Sequence, residues 1–173
     1  FKNKDLLKNV SKERLFSELS KLLMGDNVFS VLTEYKEVLA VIIPELIPTF
    51  TCKQNTVWHI YDVYTHTAKT VEQSQKKLSL RLTMLLHDIG KPDSFFMKDG
   101  AGHFYGHADA SCKIAEKILE RLRFSNKIKD EVLFLIENHG IVINDDIRNI
   151  RRCVARYGAE RFIKLIKAVS YTH

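Results

Sequence analysis

The run LLHDIGKP, residues 85–92, sets an imidazole and a carboxylate side by side at the end of a leucine-rich stretch, with Gly90 and Lys91 close behind. Inside a regular helix, neighbouring side chains point about 100° apart and do not share a target. At a helix end followed by a glycine the backbone is free to turn, so His87 and Asp88 can reach one ion lying off that end. An imidazole nitrogen with a carboxylate oxygen suits Mn, Fe, Zn, Ni or Mg and does not choose among them. Lys91 can then hold a substrate phosphate. The chemistry of such a group is phosphoryl transfer or hydrolysis: the ion polarises phosphorus and lowers the pKa of a water, and the basic side chain steadies the anion. Six of the seven histidines fall between His59 and His139. His59 and His66 are two helical turns apart and share a face if their helix starts early enough. His103 and His107 flank a loop and the next helix start in HFYGHADAS, and His139 closes a helix on its inward side, one turn after Ile136. Any one of these is most simply a hydrogen-bonded structural histidine. Five at the ends and inner faces of neighbouring helices point to a shared site.

The elements that must position these residues are nearly all helical. VSKERLFSELSKLLMGDN takes Ser11 as its N-cap, Leu15, Phe16, Leu19, Leu22 and Leu23 as one apolar face, and Gly25 as its stop. VFSVLTEYKEVLAVIIPEL follows as a second helix, broken near Pro44, with Pro48 closing the turn. A polar connector around TFTCKQNT leads into helices over about 60–74, 78–88, 109–123, 128–139, 145–157 and 159–169, with Asp145 and Asp146 as cap residues of the fifth of these. KDGAGH, residues 98–103, is expected to be a loop, and no strand is expected anywhere. Trp58, Tyr61, Tyr64, Phe104 and Tyr105 bracket the histidines and either pack in the core or stack on a base. Phe95 and Phe96 either pack back onto the bundle or line the mouth of a pocket. The expected architecture is an all-α bundle, with a boundary near residue 50 between an N-terminal helical pair and a larger helical domain.

A chain of 173 residues is one domain or a compact pair, long enough to bury a core. With 45% hydrophobic and 28% charged residues it has a soluble composition, and no apolar run approaches the roughly 18 residues that span a bilayer. Cys52, Cys112 and Cys153 are odd in number and lack CxxC spacing, which predicts reduced thiols in a cytoplasmic protein. The opening FKNKD, with neither Met nor an apolar leader, predicts a chain cut from a longer one. The formal net charge is +6. From Ile147 onward seven cations (Arg148, Arg151, Arg152, Arg156, Arg161, Lys164 and Lys167) face only Glu160. A basic end of this kind suits a phosphate-bearing partner such as RNA, or is a solvated helix face.

Taken together, YDVYTHT, LLHDIGKP, GHFYGHADAS and ENHG, in that order and spacing, resemble the HD superfamily of metal-dependent phosphohydrolases. More narrowly they look like the HD domain of bacterial tRNA nucleotidyltransferases, the CCA-adding and poly(A) polymerase-like family. VSKERLFSELSKLLMGDN and IIPEL resemble the helical neck of that family, which contributes to RNA binding. The resemblance covers roughly residues 8–168. It implies an HD-domain helical bundle over 51–173, preceded by a short neck segment over 1–50. It also implies His66, His87 and Asp88 as metal ligands, with His107 and His139 as the added histidines of members that bind a second metal. Asp88 and Lys91 would serve catalysis, Lys91 by contacting phosphate. His59 and His103, with Arg151 and Arg152, would lie on the substrate side. The implied cofactor is a divalent metal, and the implied partner is RNA, as tRNA, or a nucleotide phosphate ester.

The sequence departs from the family pattern in two ways. The head domain that adds nucleotides, with its strand-borne carboxylate pair, has no counterpart here, so the chain is not expected to add nucleotides. The last aspartate of the HD pattern is expected near residue 169, where the sequence instead reads IKAVSYTH. Three functions follow from these residues. One is a metal-dependent phosphohydrolase acting on RNA ends or nucleotides, with the 2′,3′-cyclic phosphodiesterase and phosphatase activities that the resemblance implies. Another is a catalytically silent HD scaffold that binds tRNA. The third is a free-standing HD nucleotidase, which would need neither the neck-like residues nor the basic end.

Overall fold

A computed structural model describes residues 3–54, 61–98, 101–142 and 146–172. Its helices are α1 (Lys12–Met24), α2 (Val28–Glu34), α3 (Lys36–Ile42), α4 (Val63–Gln73), α5 (Leu78–Leu86), α6 (Lys91–Ser94), α7 (His107–Arg121), α8 (Asn126–Asn138), α9 (Ile147–Tyr157) and α10 (Ala159–Thr172). The fold is an all-α bundle, as expected. Ser11 caps α1 by accepting from the Arg14 backbone N–H, and Gly25 ends the helix. Asp146 caps α9 by accepting from the Arg148 N–H, while Asp145 lies outside the described residues.

Three expectations need correction. The second helix breaks earlier than Pro44, at Tyr35 between α2 and α3, and residues Pro44–Phe50 form a 3-10 segment with Pro48 inside it rather than after it. The fourth helix starts at Val63, where Asp62 accepts from the Thr65 N–H, so it does not reach back to residue 59. A hairpin also occupies part of the expected loop: β1 (Phe96–Lys98) pairs antiparallel with β2 (Ala101–His103), placing Phe96 opposite His103. Asp99-Gly100 stands between these strands in the sequence, and this dipeptide favours tight hairpins. The expectation of no strand rested on missing β-branched alternation and passed over that turn signal.

Helix α5 organises the bundle. Every residue from Ser79 to Leu86 is buried, and the helix packs against α1, α4, α8 and α10. Its leucines meet Leu19 and Leu23 of α1, Ala68 and Val71 of α4, Val132 and Leu135 of α8, and Leu165 of α10 in one continuous core. Burying each such side chain contributes roughly 1.5–3 kcal/mol. A helix buried on all sides needs partners for its polar groups, and all but Arg81 Nε find them. Ser79 Oγ donates to Glu131 Oε1 at 2.7 Å, and Thr83 Oγ1 donates to the Ser79 carbonyl at 2.8 Å. Arg81, 3% exposed, donates to the carbonyls of Leu23 and Gly25 and so closes the C-terminal end of α1. Two further contacts tie the first fifty residues to the rest. Tyr64 Oη donates to the Leu32 carbonyl at 2.8 Å, and Arg121 makes a two-pronged pair with Glu45 at 2.5 and 2.8 Å. Among the described residues no helix is long and apolar enough to cross a membrane.

Removing Arg81 strands two carbonyls at the end of α1, so Arg81→Met should cost roughly 1–3 kcal/mol in urea denaturation. A loss within error would mean that water satisfies those carbonyls equally well.

Candidate metal centre

Four helix ends and one helix face meet at a pocket of about 510 Å³ lined by His66, His87, Asp88, Lys91, His107 and His139, among others. His66 projects from the first turns of α4. His87 is the C-cap of α5, and Asp88 is the next residue. Past His87 the bonding shortens to the i→i−3 type, Ile89 N–H to the Leu86 carbonyl and Lys91 N–H to the Asp88 carbonyl. That tightening lets two adjacent side chains face one point, as the LLHDIGKP run suggested. Gly90 is required for a different reason from the one expected. Its φ of −88° is ordinary, but a Cβ there would lie 2.5 Å from the Ser111 backbone nitrogen and 2.7 Å from Ala110 Cβ. Glycine allows α7 to press against the turn, and the Gly90 N–H donates to Ser111 Oγ at 2.9 Å. His107 is the first residue of α7, after Gly106 in the left-handed region (φ 77°), and His139 is the C-cap of α8.

Asp88 is the hub. Its carboxylate, 2% exposed, lies 3.1 Å from His87 Nε2, 3.6 Å from His107 Nε2, and 3.8 Å from both His66 Nε2 and His139 Nε2. Lys91 Nζ stands 2.8 Å away and also donates to Gln54 Oε1 at 2.8 Å. These are ion-pair distances only: neither Asp88 oxygen nor His87 Nε2 has an aligned hydrogen-bond partner, although all three atoms are buried. Burial alone would raise the Asp88 carboxyl, but His87 and Lys91 beside it outweigh that and hold it well below the usual carboxylate range. It is therefore a carboxylate at any working pH.

Each of three histidines is fixed by a backbone carbonyl three residues earlier. His87 Nδ1 meets Met84 O at 2.8 Å, His107 Nδ1 meets Phe104 O at 2.8 Å, and His139 Nδ1 meets Ile136 O at 2.6 Å. A carbonyl oxygen only accepts, so each Nδ1 carries a proton and each Nε2 is turned towards Asp88; in the neutral rings of His107 and His139 that leaves an Nε2 lone pair facing it. Burial lowers the His107 pKa and pushes that of His139 down to about 4, which keeps both rings neutral near pH 7. His107 Nε2 and His139 Nε2 then sit 3.1 Å apart, lone pair towards lone pair, unless a proton or cation lies between them. Two ligand groups emerge, His66–His87–Asp88 and Asp88–His107–His139, each with donor atoms within 4.8 Å of one another. Orphaned buried oxygens, oriented imidazoles and two helix C-termini, which carry partial negative charge, fit a divalent cation.

Not every sequence candidate reaches this pocket. Arg151 and Arg152 are exposed on α9 and make no ion pair among the described residues. His103 stands in β2 with its ring against Phe96 and Tyr105 and does not line the cavity. His59 and Trp58 lie outside the described residues. Tyr64 is a core residue, edge-on to Phe50, while Tyr61 is exposed with Lys69 Nζ 3.7 Å from its ring centroid. Gln54, which anchors Lys91, went unnoticed in the sequence; a single amide in a polar connector carries no signal.

Known proteins match most of the chain. Residues 57–164 match the HD domain family, and residues 1–49 match the family described as the probable RNA and SrmB-binding site of polymerase A. Among curated relatives, a CC-adding tRNA nucleotidyltransferase of Thermus thermophilus is 30% identical over 155 residues, which are 84% of this chain and 36% of the relative. A multifunctional CCA protein of Azoarcus is 27% identical over 174 residues (93% and 42%), and one of Dechloromonas aromatica is 31% identical over 135 residues (74% and 32%). The chain thus spans well under half the length of these relatives.

Acid should act on the site with a definite sign. The depressed His139 pKa contributes stability that is complete above about 6.5 and is lost as pH falls through about 4, because the unfolded chain takes up the proton first. With chelator present, His139→Gln should flatten the fall in unfolding free energy over that window by about 3 kcal/mol. An unchanged pH profile would mean that His139 is not held neutral.

Proposed function

The chain belongs to the HD domain family, and on that premise we propose that it is a metal-dependent phosphohydrolase unit acting on phosphate esters of RNA ends or nucleotides, within a protein of the tRNA nucleotidyltransferase type. The observation that carries the reading is the buried, unbonded Asp88 carboxylate ringed by His66, His87, His107 and His139. Those residues would hold one divalent cation or two, with Asp88 common to both groups; Mn, Ni, Fe, Zn and Mg all suit the donors. When bound, the cation supplies Lewis acidity towards a phosphoryl oxygen and a lowered pKa for water.

The chain's own residues do the rest. Lys91 is tethered by Gln54 and Asp88, so its ammonium is oriented before substrate arrives, and it takes a phosphate oxygen and the charge that develops on it. The α7 N-terminus opens into the same pocket through Gly106, His107 and Ala108, and its partial positive charge favours an anion there. Backbone carbonyls accept the Nδ1 protons of His87, His107 and His139, which holds each ring with Nε2 turned towards Asp88. Phe104, under the Lys91 ammonium, keeps water from the inner wall.

The same proposal takes residues 1–50 as the RNA-side neck and 51–173 as the HD part, in a cytoplasmic setting consistent with the free thiols of Cys52, Cys112 and Cys153. A silent, tRNA-binding scaffold is the second reading. It is supported by the match over residues 1–49 and by the exposed Arg151 and Arg152.

Elemental analysis after Mn or Ni loading should give metal near stoichiometry, and His87→Ala should lose it. Hydrolysis of 2′,3′-cyclic AMP by the loaded protein should fall about 100-fold or more in His87→Ala and Asp88→Asn. If the loaded wild type and His87→Ala open the cyclic phosphate to adenosine monophosphate equally slowly, the hydrolase reading fails and the scaffold stands. Arg151→Ala with Arg152→Ala should weaken tRNA binding and reduce its salt slope by about 2, leaving turnover of small esters alone. An unchanged slope would remove α9 from the RNA surface.

A further inference from the structure

At the outer rim of the pocket three rings gather on the hairpin. Phe96 and His103, opposite one another in the β1–β2 register, lie 5.5 Å apart at 26°. Tyr105 lies 5.3 Å from His103 at 20° and 5.5 Å from Phe96 at 41°. The chain alternates as it leaves β2. Phe104 turns inward, beneath Lys91 Nζ at 5.4 Å and against Phe95, whereas Tyr105 turns out and is 72% exposed. Two residues later comes His107, so the exposed ring and a ligand histidine are parts of one short segment, and both line the pocket.

A ring cluster that only stabilised a three-residue hairpin would hide its faces against the bundle. This one leaves Phe96 39% exposed and Tyr105 largely exposed, with the His103 ring stacked near-parallel on Tyr105. We propose that Tyr105, supported by His103 and Phe96, is a stacking platform for a nucleobase, and that it selects nucleotidyl phosphate esters over phosphate esters without a base. The proposal rests on the phosphoryl-site reading above. A phosphate seated beside Lys91 and His107 must send its ester group out past Tyr105, and a planar ring there rewards a substrate that carries its own. Stacking on an aromatic tolerates any base, because each presents a π-face. His103 acts as a positioning residue, keeping the Tyr105 ring flat to the mouth. A ribose phosphate lacking a base gains nothing from the platform.

The test is equilibrium binding to the whole chain loaded with Ni or Mn, using adenosine monophosphate, ribose 5-phosphate and a short RNA ending in a 3′-phosphate. Adenosine monophosphate should bind wild type about tenfold or more tightly than ribose 5-phosphate. Tyr105→Ala should erase that ratio by weakening the nucleotide alone, and Tyr105→Phe should keep it. Because Tyr105 is exposed, the thermal midpoint of both variants should match wild type. Equal binding of the two small probes by wild type, or a ratio unchanged in Tyr105→Ala, overturns the platform. Tighter binding of the RNA than of the mononucleotide identifies an RNA end as the source of the base, and equal binding identifies a free nucleotide; Tyr105 dependence in either upholds the proposal. Hydrolysis separates this inference from its premise. A Tyr105-dependent nucleotide preference without turnover leaves the platform and removes the catalysis, whereas turnover indifferent to the base removes the platform alone.

Discussion

Everything in this structure is arranged around a carboxylate that water cannot reach. Asp88 sits at the end of a helix buried along its length, and its two oxygens have no aligned hydrogen bond. Moving an ionised carboxylate out of water costs several kcal/mol even after relaxation, and an isolated one would protonate instead. The bundle prevents that by surrounding Asp88 with Lys91 and four imidazoles drawn from α4, α5, α7 and α8. One lysine would have neutralised the charge. A purely structural ion pair would not also need three rings whose Nδ1 protons are tied back to carbonyls so that every Nε2 turns inward. A buried carboxylate ringed by inward-turned imidazole nitrogens is a donor set that a divalent cation would complete.

The helix geometry serves the same end. C-termini at His87 and His139 bring partial negative charge towards the ligand groups, while α7 brings its N-terminus, with Gly106 in the left-handed conformation that the entry requires. One cavity therefore offers a cation and an anion opposite helix ends. Gly90 makes the arrangement possible. Any side chain there would push α7 off the turn, and His107 with it.

Much of this was legible in the chain. The His87–Asp88 pair, the glycine, the lysine and the spaced histidines carry chemical signals that do not depend on packing, and the structure gathers His66, His87, Asp88, Lys91, His107 and His139 in one pocket. Caps at Ser11 and Asp146 are local, one side chain to one N–H, and so were readable. What escaped was set by tertiary contact. Nothing near Gln54 says that it will meet Lys91 from 37 residues away. Pattern alone gave Gly90 a turning role, when its real constraint is the backbone of α7, 21 residues on. Tyr64 and Tyr105 looked alike as aromatics beside histidines, yet one is a core ring bonded to Leu32 and the other faces solvent. The hairpin was missed because three-residue strands are too short for a periodic signal, leaving only the turn dipeptide to announce them.

Helix α5 also gives the two halves of the chain a common rigid element. Arg81 closes the end of α1, in the part that matches an RNA-binding family, and seven residues on, just past the end of the same helix, Asp88 anchors the candidate metal centre. Seven residues are two turns, about 10 Å along the axis, with every intervening side chain buried. Close-packed interiors shift as units rather than deforming gradually. The first fifty residues cannot therefore change their seat on α5 without displacing the helix whose end carries His87 and Asp88. On this geometry, the first fifty residues are held relative to the pocket by their packing on α5, together with the Tyr64–Leu32 and Arg121–Glu45 contacts.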